Sequence, residues 1–174
     1  MFHNQEFEYS TFTLHTVSSI NEQTLQEYKK LKSADNLKRT HLFNNRYENI
    51  YIEVNLISTL PEIIDFAISC AKKTLNTTRE LSVGFWFNDM PPGSITTRHT
   101  HDDDDELLSG VYYIKVPENS GNLVLIKNRI EREIESNAGE LILFRPDCLH
   151  EVSENKSTED RLSIGMNFGY KKSS

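Results

Sequence analysis

His99, His101 and Asp103 stand two residues apart in His99-Thr100-His101-Asp102-Asp103, and His150 follows far downstream between the turn Pro146-Asp147 and Val152. Side chains on a β-strand alternate with period two, so positions 99, 101 and 103 share a face. Any adjacent pair of them can grip one side of a metal ion, and His150 can close the site. Two or three imidazoles, with or without one carboxylate, on one side of an ion suit a non-haem iron centre with open positions. A single strand histidine is ordinarily a surface or hydrogen-bonded residue. Here the apolar run Leu141 to Phe144 reads as a buried strand, and His150 follows its turn directly, which argues for an inward ring.

A second constellation is Arg161-Leu162-Ser163. Arg161 and Ser163 share one strand face and Leu162 the other. An inward guanidinium beside a hydroxyl can clamp a carboxylate through two oxygens at once. In Ser109-Gly110-Val111-Tyr112-Tyr113-Ile114 one tyrosine of the pair must face inward, to pack the core or lend its hydroxyl to a ligand. The acidic run Asp102 to Glu106 reads as a solvated loop, since it lacks the glycine and alternate spacing of a calcium loop. Cys148 lies close to His150 in sequence, but a nucleophile and its base are paired by the fold and not by spacing. The sequence has no Gly-rich phosphate loop, no Gly-x-Ser-x-Gly elbow and no Cys-x-x-Cys pair.

These residues need a scaffold. With 174 residues the chain is read as a single domain, 1–174, large enough for a full core. The net charge of −7 disfavours a nucleic-acid partner. No run is long and apolar enough to suggest a membrane span, the N-terminus shows no secretory pattern, and two cysteines make no disulfide framework. A cytoplasmic monomer or homodimer is the expectation.

Residues 1–80 read as a helical N-terminal support. Ser19-Ile20-Asn21-Glu22 predicts a capping box opening one helix, and Ser58 or Thr59, with Pro61 in the first turn, opens a second whose apolar face is Ile63, Ile64, Ala67, Cys70, Ala71 and Leu75. Ile50 to Leu56 alternates like a strand. From 81 to 170 the pattern becomes β, with strands expected near 81–88, 94–101, 109–116, 121–127, 131–135, 140–145, 150–153 and 161–169, punctuated by Gly, Pro and Asn turns. The fold class is mainly β with N-terminal helices, on a jelly-roll, cupin-like double-stranded β-helix.

Gly93, the His99/His101/Asp103 cluster, Ser109 to Ile114, Gly139 to Phe144, His150 to Val152 and Arg161 to Asn167 together resemble the iron(II)/2-oxoglutarate-dependent oxygenases, in the bacterial and phage branch related to prolyl hydroxylases. The resemblance covers roughly residues 81–169. It implies a double-stranded β-helix using Fe(II), with 2-oxoglutarate and O2 as co-substrates. His101 and His150 would be metal ligands with His99 or Asp103 as the third. Arg161, Ser163 and Tyr113 would meet the far carboxylate of 2-oxoglutarate. The activity implied is hydroxylation of a small molecule or peptide side chain, with release of succinate and CO2.

Two other readings stay open on the sequence. A cupin-type metalloprotein would use His99, His101, Glu106 and His150, although the glycine expected next falls at Tyr113 and Arg161 has no role in it. A non-catalytic binding domain on the same barrel would need no metal chemistry.

Overall fold

Strand β11 (Arg161–Tyr170) divides its side chains by parity: Leu162, Ile164, Met166 and Phe168 enter the larger apolar core, while Ser163, Gly165 and Asn167 line a cavity on the opposite face. That division organises the molecule. The computed structural model describes residues 7–15, 17–101 and 105–172. Around β11 a seven-stranded antiparallel sheet runs β1 (Tyr9–Thr13), β9 (Glu140–Phe144), β6 (Leu108–Lys115), β11, β4 (Leu81–Met90), β3 (Arg46–Tyr51), β2 (Lys38–Phe43). A four-stranded sheet of β5 (Thr96–His99), β10 (Leu149–Val152), β7 (Leu123–Lys127) and β8 (Ile130–Ile134) faces it. The result is a jelly roll with antiparallel sheets and two helices.

Helices α1 (Val17–Leu31) and α2 (Leu60–Leu75) back the large sheet on its other side. Ile63, Ile64, Ala67, Cys70 and Ala71 are buried there, the face expected from their spacing. Polar groups also bridge this interface: the Tyr28 hydroxyl donates to Asp89 on β4 at 3.1 Å, and Asn21 makes three bonds to β6. Asn21 donates to the carbonyls of Tyr113 and Ile114 at 3.0 Å each and accepts from the Tyr112 hydroxyl at 2.7 Å. Tyr112 therefore faces the helices and its neighbour Tyr113 the space between the sheets.

The strands from 81 onward fall where alternation and turns put them; the N-terminal half departs in three places. Helix α1 starts at Val17, so Ser19 and Glu22 lie inside its first turns and form no capping box. Packing fixes that start: a Cβ on Gly139 would meet Val17 at 2.4 Å, and the Leu14 N–H donates to the Gly139 carbonyl. The 50–56 alternation is strand only as far as Tyr51, and Val54–Leu56 is a 3-10 turn. The missing strand length lies upstream, where Asn44 and Asn45 take φ of 47° and 60° and close a β2–β3 hairpin. Asparagine tolerates this left-handed region, which two-residue hairpin turns require. Three N-terminal strands thus join the same sheet as the strands downstream. Among the described residues no helix is long and apolar enough to cross a membrane.

Candidate metal and co-substrate site

Strand β5 alternates Arg98 outward, onto Glu131 and Glu151, with His99 inward. His150 on β10 is the direct antiparallel partner of His99. His101 lies just past the end of β5, where its N–H donates to the Pro146 carbonyl at 2.8 Å. The three rings converge, with ring centroids 4.3–5.2 Å apart and one ligand nitrogen from each within 4.8 Å of the others. Asp103, the alternative to His99, lies outside the described residues.

Two of the rings are oriented by backbone. His99 Nδ1 donates to the Thr97 carbonyl at 2.6 Å and His150 Nδ1 to the Cys148 carbonyl at 2.9 Å. A carbonyl only accepts, so in each neutral ring Nε2 keeps its lone pair for the interior. Burial, reinforced by the neighbouring His99, pushes His101 down to about 4 and His150 down to about 3. Both are neutral at physiological pH, the form that binds metal.

The rings open into a cavity of about 380 Å³ between the sheets. It runs past Leu123, Tyr113 and Ser163, and Ser163 is the cross-strand partner of Tyr113. Arg161 is not on the cavity wall itself. It lies beyond, wholly buried, with its guanidinium carbon 5.0 Å from the centre of the Tyr113 ring. Nη1 touches Met90 Sδ at 3.6 Å, while Nε and Nη2 have no hydrogen-bond partner among the described residues. The Tyr113 and Ser136 hydroxyls are buried without a partner as well. Tyr113 lies close to both Ser136 and Arg161 without good hydrogen-bond geometry to either; burial raises its phenol, and those two neighbours oppose the rise.

A buried cation with no acceptor is costly, and so are buried hydroxyls with none. The chemistry that would satisfy all of them is a carboxylate. Three converging imidazoles beside such a pocket therefore fit both Fe(II) and a dicarboxylate that reaches from the metal to Arg161.

The outer part of the cavity carries residues that sequence reading only partly anticipated. Trp86 and Asn88 line it, as does Glu106. Glu106 is not among the three converging groups: its carboxylate accepts from Asn167 Nδ2 at 2.6 Å. The N-terminal hairpin supplies His41, Glu48, Asn49 and Tyr51. Glu48 matters most for geometry, accepting from the Thr97 N–H at 2.9 Å and the Thr97 hydroxyl at 2.8 Å, two residues before His99. Arg46 bonds Glu48, the Asn88 side chain, and the carbonyls of Asp89 and Ile95. No periodic pattern marks these residues, because their partners are brought to them by the sheet.

Residues 79–169, more than half of the chain, match the model of the 2OG-Fe(II) oxygenase superfamily. No curated protein matches the chain in sequence. Among solved structures, a prolyl-4-hydroxylase from Pseudomonas putida superposes with a TM-score of 0.73 at 20% identity, over 94% of this chain and 93% of that one. A prolyl hydroxylase from Trichoplax adhaerens, solved with a peptide fragment of the hypoxia inducible factor oxygen degradation domain, gives 0.66 at 17%, over 93% and 83%. The α-ketoglutarate-dependent carbocyclase SnoK of nogalamycin biosynthesis gives 0.73 at 11%, over 95% and 81%. The structural likenesses concern the fold; the family model rests on this chain's own sequence and decides against the cupin reading. The chain belongs to the 2OG-Fe(II) oxygenase superfamily, and is an enzyme whose cofactor is Fe(II) and whose co-substrates are 2-oxoglutarate and O2.

Proposed function

We propose that His99, His101 and His150 hold the Fe(II), that Arg161, Ser163 and Tyr113 hold the far carboxylate of 2-oxoglutarate, and that the enzyme hydroxylates a C–H bond of a small molecule or peptide side chain. The observation that carries this reading is the buried guanidinium of Arg161, with Nε and Nη2 lacking partners among the described residues, beyond the Tyr113–Ser163 part of the cavity that the three imidazoles share. Iron supplies O2 activation coupled to oxidative decarboxylation of the co-substrate. One oxygen atom goes to succinate, whose formation releases CO2, and the other to the substrate carbon.

The chain's own residues orient and exclude. Thr97 and Cys148 carbonyls fix two ligand rings. Phe144, against His150 at 4.8 Å between centroids, and Leu123 keep the inner cavity apolar. Trp86, Asn88, Asn49 and Tyr51 face the outer cavity, where substrate would sit. One relative was solved with a peptide and another serves a biosynthetic pathway, so both substrate classes stand. We read the chain as one domain, since β1, β2 and β3 belong to the catalytic sheet. A cytoplasmic enzyme with no nucleic-acid partner accords with the net charge of −7.

The test is anaerobic Fe(II) loading, followed by succinate release with 2-oxoglutarate, ascorbate and a substrate panel. His99→Ala and His150→Ala are expected to abolish metal uptake, with Asp103→Ala retaining it. Arg161→Ala is expected to weaken 2-oxoglutarate binding at least tenfold. Normal iron uptake in His99→Ala, or unchanged 2-oxoglutarate affinity in Arg161→Ala, would overturn the corresponding assignment.

A further inference from the structure

The three rings are not held alike. His99 and His150 each close onto the carbonyl two residues back, so local backbone fixes them. His101 lies beyond the end of β5, and its Nδ1 meets a side chain from the opposite sheet, Asn167 Nδ2 at 3.3 Å. Asn167 is itself held on two sides: Nδ2 donates to Glu106 Oε1 at 2.6 Å, and Oδ1 accepts from the Ser109 hydroxyl at 3.3 Å. It occupies the cavity face of β11, in line with Arg161, Ser163 and Gly165.

We propose that Asn167, braced by Glu106 and Ser109, is the positioning residue for His101 in the metal centre; this rests on the ligand assignment above. Metal-bound histidines nearly always have the second ring nitrogen tied to a fixed group, and loss of that tie typically costs about 10–100-fold in metal affinity. The Asn167 N–H meets His101 Nδ1, and His101 Nε2 lies 3.1 Å from His99 Nε2. Binding metal through Nε2 puts the ring proton on Nδ1, which then needs an acceptor. A carboxamide carries both a donor and an acceptor on one planar group, so rotation about its last bond can present Oδ1 to that proton, at the cost of the Nδ2 bond to Glu106, whose side chain must then turn away or carry a proton. An apolar side chain of the same size offers neither. The same geometry gives Glu106 a role as the brace of Asn167.

The chain's single tryptophan supplies the readout: the Trp86 ring centre lies 5.5 Å from that of His101, so quenching by Co(II) reports metal at the site without any turnover. Asn167→Leu is expected to weaken Co(II) binding 10–100-fold, and the exchange Glu106→Gln with Asn167→Asp to recover most of it. That exchange keeps a hydrogen bond between the two positions and offers His101 an acceptor. Should the leucine variant fail to fold, Asn167→Ala makes the same test. Co(II) affinity within twofold of wild type in the folded single variant, or a loss that the exchange does not recover, overturns the inference. His150→Ala separates the two readings. If it abolishes quenching while Asn167→Leu leaves it intact, only the role of Asn167 falls; if it too binds Co(II) normally, the ligand assignment falls as well.

Discussion

Trp86 lies across Gly165, its direct partner between strands β4 and β11. A Cβ at 165 would stand 2.6–2.7 Å from three atoms of the indole, closer than side chains approach one another. The missing side chain is thus the recess in which the indole lies, and the ring reaches from there to His101. A glycine inside a strand is destabilising unless something needs the space. Here the space is filled by the wall of the outer cavity.

Gly165→Ala should therefore displace the indole. Overpacking of this kind costs about 1–3 kcal/mol, and at this chain length each kcal/mol lowers Tm by about 2–4 °C. The emission of the single tryptophan should shift as well. A variant with unchanged Tm and emission would show that Trp86 can lie elsewhere at no cost.

Arg161 predicts a separation of stability from binding. A buried guanidinium with two unpartnered nitrogens burdens the ligand-free fold, and burial lowers its pKa. Arg161→Met keeps the volume and removes the charge. Its ligand-free form should melt no lower than wild type, since replacing buried charge with packed apolar atoms is commonly neutral or stabilising. Wild type with Mn(II) should gain about 2.7 kcal/mol at 2-oxoglutarate concentrations 100-fold above its Kd, and a variant whose affinity is at least tenfold weaker about 1.4 kcal/mol or less at the same concentration. A variant that melts much lower in the absence of ligand would give Arg161 a structural role instead.

The histidines predict a pH dependence for the metal-free protein. His101 is held down to about 4 and His150 to about 3 in the fold, against about 6.5 in an unfolded chain. Between those values the unfolded state binds more protons, so stability is complete above about pH 6.5 and falls as the pH drops toward the folded values. For the well-buried His150 the slope approaches 1.4 kcal/mol per pH unit, and the more exposed His101 contributes less. Urea titrations in chelator from pH 7 to pH 4 measure it. His150→Gln should flatten the slope, and an unchanged slope would mean that His150 titrates normally in the fold.

What the sequence revealed divides along the range of the interactions. Strands β4 to β11 were legible because period-two alternation and Gly, Pro and Asn turns are local signals. His150 and Arg161 were legible because they sit beside such strands. Nothing local separates His99 from Asp103, since both continue one strand face on paper; that the His99 ring meets His101 and His150 shows only in three dimensions. Asn167 was visible as part of a strand, but nothing local shows that its amide meets His101. The N-terminal contribution was hidden most deeply: the β2–β3 hairpin turns on two asparagines, and Glu48 finds Thr97 only when β3 is in the sheet.

That last contact makes the N-terminal half part of the site's support. Glu48 accepts two hydrogen bonds from Thr97 and an ion pair from Arg46 at 3.2 Å, with its side chain almost fully buried. Hydrogen bonds to a charged group are worth about 1.5–3 kcal/mol each, and their loss also leaves Arg46, whose pKa burial already lowers, without its carboxylate. Glu48→Leu should therefore destabilise the protein by about 3 kcal/mol or more, in line with breaking a buried pair from one side. Glu48→Gln keeps an acceptor for Thr97 and should cost less. Because Thr97 also orients His99 through its carbonyl, Co(II) affinity should fall in the same order, glutamine before leucine. A Glu48→Leu protein that melts lower yet binds Co(II) like wild type would show that His99 is held by β10 alone.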